Sequence, residues 1–125
     1  MIGTKYGCGE GECGACTILV DGISVNACLV FAVDCDGREL TTVEEVASEP
    51  AGERLRDAFV ACGAVQCGFC TPGMLMSCEA LLKETQTPTK EEIKEGIEGN
   101  ICRCTGYNSI VRAVEAVAKG NYREG

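Results

Sequence analysis

At 125 residues, the chain is long enough for one or two small domains and too short for a large enzyme with its own deep substrate cleft. Apolar residues make up 46% and charged residues 24%, which is typical of a globular chain and argues against disorder. Because the formal net charge is -8 and no apolar run approaches the length of a bilayer span, we expect no nucleic acid and no membrane as partners.

The first half of the chain predicts short β-strands. Residues 17–20 are β-branched and apolar, and the Asp-Gly pair that follows them is a tight-turn signal. A second strand is expected over 23–33. After a second Asp-Gly pair at 36–37, a third short strand is expected over 39–43.

The second half predicts helices, from apolar residues at helical spacing. The first is expected over 53–62, and the second over 71–82 with Thr71 as N-cap followed by a proline at the first helical position. A capping box at 89–92 opens a third, which ends near residue 99, and the last runs from 108 or 109 to 120.

These elements indicate an α+β chain in two parts. We expect a β domain over 1–47 and a helical domain over 53–120, with a linker near 47–52. The helical part is expected to form a small four-helix bundle.

Eleven cysteines and no histidine decide which chemistry is possible. The absence of histidine excludes Ser-His catalysis, His-ligated zinc and Rieske-type ligation. Disulfides require an oxidising compartment, but the first residues are no secretory signal and an odd number leaves one thiol unpaired. Iron–sulfur clusters need four thiolates each, and eight of the cysteines form two sets of four.

The first set consists of Cys8, Cys13, Cys16 and Cys28. Its first three members have the spacing C-x4-C-x2-C, and the fourth follows after 11 residues, which is the plant-type [2Fe–2S] pattern. Four glycines in this loop permit positive φ and a close approach of backbone amides to sulfur: Gly7, Gly9, Gly11 and Gly14.

The second set consists of Cys67, Cys70, Cys102 and Cys104. It reads C-x2-C, then 31 residues, then C-x-C, which taken alone fits a zinc site as well. Beside a ferredoxin-type loop we expect a second iron–sulfur cluster. Each pair precedes a predicted helix, and the N-terminal ends of helices favour an anionic group. The three remaining cysteines are expected to be core or near-surface thiols without a redox or ligand role: Cys35, Cys62 and Cys78.

Three segments resemble the iron–sulfur subunits of molybdenum hydroxylases, the group of xanthine dehydrogenase, aldehyde oxidoreductase and carbon monoxide dehydrogenase. They are GTKYGCGEGECGAC at 3–16, GAVQCGFCTPG at 63–73 and GNICRCTGY at 99–107. The resemblance implies a ferredoxin-like β-grasp domain and a four-helix domain, each with one [2Fe-2S] cluster. It also implies two partners, a large subunit with molybdopterin and a medium subunit with FAD.

The same resemblance assigns roles to individual residues. The first cysteine set matches the flavin-side ligands, and the second set matches the molybdenum-side ligands. Electrons would pass from molybdenum through the helical-domain cluster and the ferredoxin-domain cluster to flavin. Gln66 and Cys104 match the positions that approach the pterin in this family. No catalytic residue is expected, because substrate would bind on the molybdenum subunit.

One departure from the family concerns the beginning of the chain. Family members normally have a β-hairpin and a helix before the segment that starts here at Gly3. We therefore expect a β-grasp domain that lacks its first hairpin and helix, and a cytoplasmic location. The alternative functions are a free-standing ferredoxin-like carrier, an iron–sulfur regulator and a zinc-stapled binding module.

Overall fold

The structure is a computed structural model that describes residues 3–102 and 107–118. Three short strands form an antiparallel sheet in the order β2-β1-β3: β1 is Thr17–Val20, β2 is Ile23–Asn26 and β3 is Leu40–Thr41. Strand β1 pairs with both neighbours, with Thr17 opposite Asn26. The predicted turn joins β1 to β2, since Asp21 and Gly22 both have positive φ, as a two-residue hairpin turn requires.

The second strand is much shorter than predicted. Instead of one strand over 23–33, β2 ends at Asn26 and two short 3-10 helices follow, Ala27–Leu29 and Ala32–Cys35. The apolar run after residue 26 has no strand partner, because β1 begins only at Thr17 and the preceding residues belong to the cysteine loop. The sequence pattern alone could not show this missing partner.

Five helices follow the sheet in the part of the chain that the structure describes. Their bounds are α1, Val43–Ser48; α2, Pro50–Ala61; α3, Thr71–Glu84; α4, Lys90–Ile97; and α5, Asn108–Ala118. The sequence analysis missed α1, and α2 begins three residues earlier than expected with Pro50 in its first turn. The predicted linker at 47–52 is therefore mostly helical, with Glu49 alone between α1 and α2. The end expected for the last helix at residue 120 lies outside the described residues.

The N-terminal caps differ from one helix to the next. At α4, Thr89 and Glu92 form the predicted capping box, with the Thr89 hydroxyl accepting from the Glu92 amide at 3.2 Å. At α3 the predicted cap is wrong, because Thr71 is already helical and Cys70 is the N-cap residue. The Thr71 hydroxyl oxygen is buried, without a hydrogen-bond partner among the described residues.

One apolar core joins the sheet to the helices. Leu19 of β1, with 1% of its surface exposed, belongs to the same buried cluster as Phe59, Met74 and Ile110. Helix α3 packs on β1, and α2 packs on α5. Both cysteine loops therefore lie on one packed body. No helix within the two described ranges has the length and apolar character needed to cross a membrane.

Candidate metal centres

The first cysteine set is brought together by the loop before β1 and the 3-10 helix after β2. Backbone amides point at its sulfurs: Glu10 and Glu12 donate to Cys8 Sγ at 3.3 and 3.4 Å, and Ala15 donates to Cys13 Sγ at 3.4 Å. Such amide–sulfur bonds stabilise the negative charge that thiolates carry when they ligate iron.

The four thiols of this set lie close enough to influence one another's ionisation: Cys13 influences that of Cys8, and Cys16 and Cys8 influence that of Cys28. The amide of Cys28 also donates to Cys16 Sγ at 3.4 Å. The backbone hydrogen bond from Glu10 is the main reason that the pKa of Cys8 falls to about 7, whereas burial, followed by the neighbouring Cys16, raises the pKa of Cys28.

Glycines shape this loop in two different ways. Gly9, Gly11 and Gly14 adopt the predicted positive φ, with values of 71°, 76° and 72°. Gly7 does not, but a Cβ on it would lie 2.6 Å from Cys13 Sγ. Gly7 is therefore explained by close packing against a candidate ligand.

The first set and the loop around it fit a [2Fe–2S] cluster, which four cysteine thiolates ligate. All four thiols lie within the described residues, and backbone amides donate to Sγ of Cys8, Cys13 and Cys16. Across residues 3–102 and 107–118, no three His, Cys, Asp or Glu side chains form a group that could hold one metal ion.

The second set lies at the start of α3 and in the segment after α4. Cys67, Cys70 and Cys102 line one cavity of about 270 Å³, while Cys104 lies outside the described residues. Burial, then the neighbouring thiols of Cys102 and Cys67, raises the pKa of Cys70 to about 12. Cys13 of the first set lines the same cavity, so the two sites are neighbours.

The surroundings of the second set suit an anionic cluster. Helix α3 begins immediately after Cys70, so the N-terminal end of its dipole lies beside the thiols. The unpartnered hydroxyl of Thr71 adds a buried donor at the same place. The amide of Cys102 donates to the phenol oxygen of Tyr107 at 2.9 Å, which fixes the backbone of this candidate ligand.

The structure also shows where the three remaining cysteines and Gln66 lie. Cys78 is fully buried within α3, as expected of a small apolar residue, and Cys35 and Cys62 are half-buried. Gln66 precedes Cys67 and is exposed. Phe69 and Ile101, which line the same cavity as the neighbouring Cys67, are 49% and 50% exposed.

Sequence reasoning missed Asn100, the buried residue two positions before Cys102. Its side chain donates to the carbonyl oxygen of Gly14 at 2.9 Å and thus connects the two cysteine loops. The only signal in the sequence was its place inside the segment at 99–107. A contact with a residue 86 positions away leaves no periodic pattern in the sequence.

Comparisons with known proteins agree with this arrangement. Residues 42–115 match a family model described as a [2Fe-2S] binding domain. The chain is 53% identical over 114 residues to the nicotine 6-hydroxylase small subunit of Paenarthrobacter nicotinovorans, covering 91% of this chain and 68% of that protein. It is 47% identical over 116 residues to the xanthine dehydrogenase iron-sulfur-binding subunit of Escherichia coli O157:H7, covering 91% of this chain and 73% of the relative.

Solved structures give the same result for the fold. Quinoline 2-oxidoreductase from Pseudomonas putida 86 contains a chain that matches with a TM-score of 0.86 and 44% identity, over 94% of this chain and 74% of that one. Cysteine loops on a small antiparallel sheet and on packed helices thus define an iron–sulfur protein with a [2Fe-2S] binding domain. The chain belongs to the iron–sulfur small subunits of the molybdenum hydroxylase family and is part of an oxidoreductase.

Proposed function

We propose that this chain carries two [2Fe-2S] clusters and relays electrons from a molybdopterin-binding large subunit towards an FAD-binding medium subunit. The observation that carries the proposal is the adjacency of two cysteine sets in one packed body. Cys13 of the first set lines the same cavity as Cys67, Cys70 and Cys102 of the second. When bound, each cluster would accept and release one electron at a time.

The proposed ligands follow from the two sets. The first cluster would be held by Cys8, Cys13, Cys16 and Cys28, and the second by Cys67, Cys70, Cys102 and Cys104. Support for the first comes from the backbone amides that donate to three of its sulfurs. Support for the second comes from the shared cavity and the N-terminal end of α3. In this proposal, 1–47 is the ferredoxin-type domain and 53–120 is the four-helix domain.

The molybdopterin subunit is proposed to dock beside the second cysteine set. Two large apolar side chains, Phe69 and Ile101, are about half exposed there and also line its cavity. Exposed apolar surface next to a polar group is typical of a protein interface. Gln66 would supply that polar group, and Cys104 is its proposed companion in contact with the pterin.

The two-cluster proposal predicts about four irons and four acid-labile sulfides per chain. The measurement is iron and sulfide analysis of the natively purified complex, together with electron paramagnetic resonance (EPR) of the reduced protein. Cys13→Ser and Cys70→Ser should each remove one cluster signal. The matched controls Cys35→Ser, Cys62→Ser and Cys78→Ser should retain both. A wild-type protein with only two irons and one signal contradicts the proposal.

Gln66→Ala tests the partner face. Because Gln66 is exposed and lies outside the core, both clusters should persist in this variant. Loss of a polar contact at an interface costs about 1–3 kcal/mol, so we expect association with the molybdopterin subunit to weaken by about 5- to 150-fold. Gln86→Ala, which changes another exposed glutamine at the far end of α3, is the control. If the affinity for the molybdopterin subunit is unchanged in Gln66→Ala, Gln66 does not contribute to the interface.

A further inference from the structure

A buried polar network spans the boundary between the two cysteine loops, and Asn100 is at its centre. Asn100 has 5% of its surface exposed. Its Nδ2 donates to the carbonyl oxygen of Gly14 at 2.9 Å and to Thr17 Oγ1 at 3.3 Å, and its Oδ1 accepts from Ser77 Oγ at 2.6 Å. The Thr17 hydroxyl donates to the same Gly14 oxygen at 2.6 Å. One amide therefore links the first cysteine loop, β1 and helix α3.

This network lies directly beside candidate ligands of both clusters. Gly14 follows Cys13, and Asn100 is two residues before Cys102. The next residue, Ile101, donates its backbone amide to the carbonyl oxygen of Cys13 at 2.8 Å. Two consecutive residues of one loop are thus bonded to two consecutive residues of the other, which fixes both their distance and their relative orientation.

This close contact depends on two glycines, because a side chain at either position would not fit. A Cβ on Gly73 of α3 would collide with the carbonyl oxygen of Gly14. A Cβ on Gly14, whose φ is positive, would collide with the carbonyl oxygen of Gly99. The backbone of the first loop therefore packs directly against the backbone of α3 and of the segment after α4, with no room for a side chain at Gly14 or Gly73.

We propose that Asn100 is a positioning residue that sets the separation of the two cluster-binding loops. The inference rests on the proposed two-cluster function. Transfer between the sites is a one-electron step in which one site is oxidised and the other reduced, and no bond or proton moves. Its rate falls steeply with distance, so hydrogen bonds that fix the spacing determine that rate without touching either metal.

The test compares variants of Asn100 in the purified complex. Asn100→Ala removes the whole amide, and Asn100→Asp keeps the acceptor for Ser77 but loses both donors. In each, we expect a weaker magnetic interaction between the two reduced clusters by EPR, and electron redistribution between them slower by about tenfold or more after rapid reduction. Ser77→Ala leaves the donors to Gly14 and Thr17 in place, so it should have a smaller effect.

The matched control is Asn26→Ala. Asn26 Nδ2 also donates to a carbonyl oxygen of the first loop, that of Gly11, at 3.3 Å, but this bond stays within the N-terminal half. The Asn26 variant should therefore keep the wild-type magnetic interaction. Equal effects of the Asn26 and Asn100 substitutions would overturn the assignment, because loop damage alone would then explain both.

A second variant tests the spacing while Asn100 stays in place. Gly73→Ala adds a methyl group between α3 and the first loop, and alanine favours the helix more than glycine does. We expect the same loss of magnetic interaction as in Asn100→Ala. Gly96→Ala is the control in α4, since its Cβ would meet only the flexible side chain of Leu81 at 3.1 Å.

Iron analysis separates failure of this inference from failure of the proposed function. If the wild-type protein contains only one cluster, the proposed two-cluster function itself is wrong. If the wild type has two clusters, the two-cluster function stands. If Asn100 variants that retain both clusters also keep the wild-type magnetic interaction and transfer rate, only the proposed role of Asn100 is wrong. Loss of a single cluster in Asn100→Ala also overturns it, because the residue then serves one site. Should Asn100 variants not be recovered, Gly73→Ala decides the question.

Discussion

Two cysteines of the candidate sites differ sharply in acidity, and their surroundings explain why. Cys8 is surrounded by backbone amides, mainly that of Glu10, which lower its pKa to about 7. Cys70 is buried next to other thiols, and its pKa rises to about 12. Metal binding requires thiolates, so near neutral pH cluster insertion releases more protons from Cys70 than from Cys8.

This difference predicts selective alkylation of the cluster-free chain. At pH 7.5, above the pKa of Cys8 and far below that of Cys70, iodoacetamide should label Cys8 first, because the thiolate is the nucleophile. Peptide mass spectrometry over time measures the order. Cys78, fully buried with a pKa of about 12, is the internal control and should stay unlabelled in the folded chain. Faster labelling of Cys70 than of Cys8 would contradict the expected acidities.

Elements with a complete local signal could be predicted from the sequence. The hairpin turn at 21–22 and the capping box of α4 depend on neighbouring residues only, and both are confirmed. The end of β2 and helix α1 were missed, because β2 stops where its partner strand stops and α1 is only six residues long. The cysteine spacing predicted the candidate ligands, but the role of Asn100 depends on a contact that forms only in the folded chain.

The capping box of α4 allows a prediction at the scale of this element. In Thr89→Ala, the amide of Glu92 loses its acceptor at 3.2 Å, so the free energy of unfolding should fall by about 1 kcal/mol. Urea denaturation followed by circular dichroism measures the change. Thr87→Ala, an exposed threonine just before the cap, is the control and should stay within about 0.5 kcal/mol of the wild type. A Thr89 variant as stable as this control would show that the box contributes nothing.

At the scale of the whole molecule, the sheet and the helices share one core. Leu19 of β1 is 1% exposed and packs into the same buried cluster as the helical residues. Two sequence-defined parts, 1–47 and 53–120, are therefore expected to unfold together rather than one after the other. The sequence analysis proposed the division from the change from predicted strands to predicted helices, which does not show where side chains from the two parts meet.

Leu19→Ala tests this coupling. The substitution leaves a cavity between β1 and α3 and should lower the free energy of unfolding by about 2–5 kcal/mol. Visible absorbance of the clusters and helical circular dichroism should shift to lower denaturant concentration together. Ile23→Ala, in the same sheet but 68% exposed, is the control with an expected change within about 0.5 kcal/mol. Separate transitions for the two signals would mean that the parts are independent.

The hydrogen bond from Asn100 to Gly14 also bears on the order of events during synthesis. Gly14 and Asn100 are 86 positions apart in the sequence. At about 5–20 residues per second, the ribosome adds Asn100 roughly 4–17 s after Gly14, and until then the first loop lacks this hydrogen bond. All four cysteines of the first set leave the ribosome before that interval or early in it. We therefore expect them to remain exposed to oxidants on the nascent chain. Iron delivered after release would bind a loop that Asn100 already anchors, whereas iron delivered during translation would bind a loop that is not yet anchored.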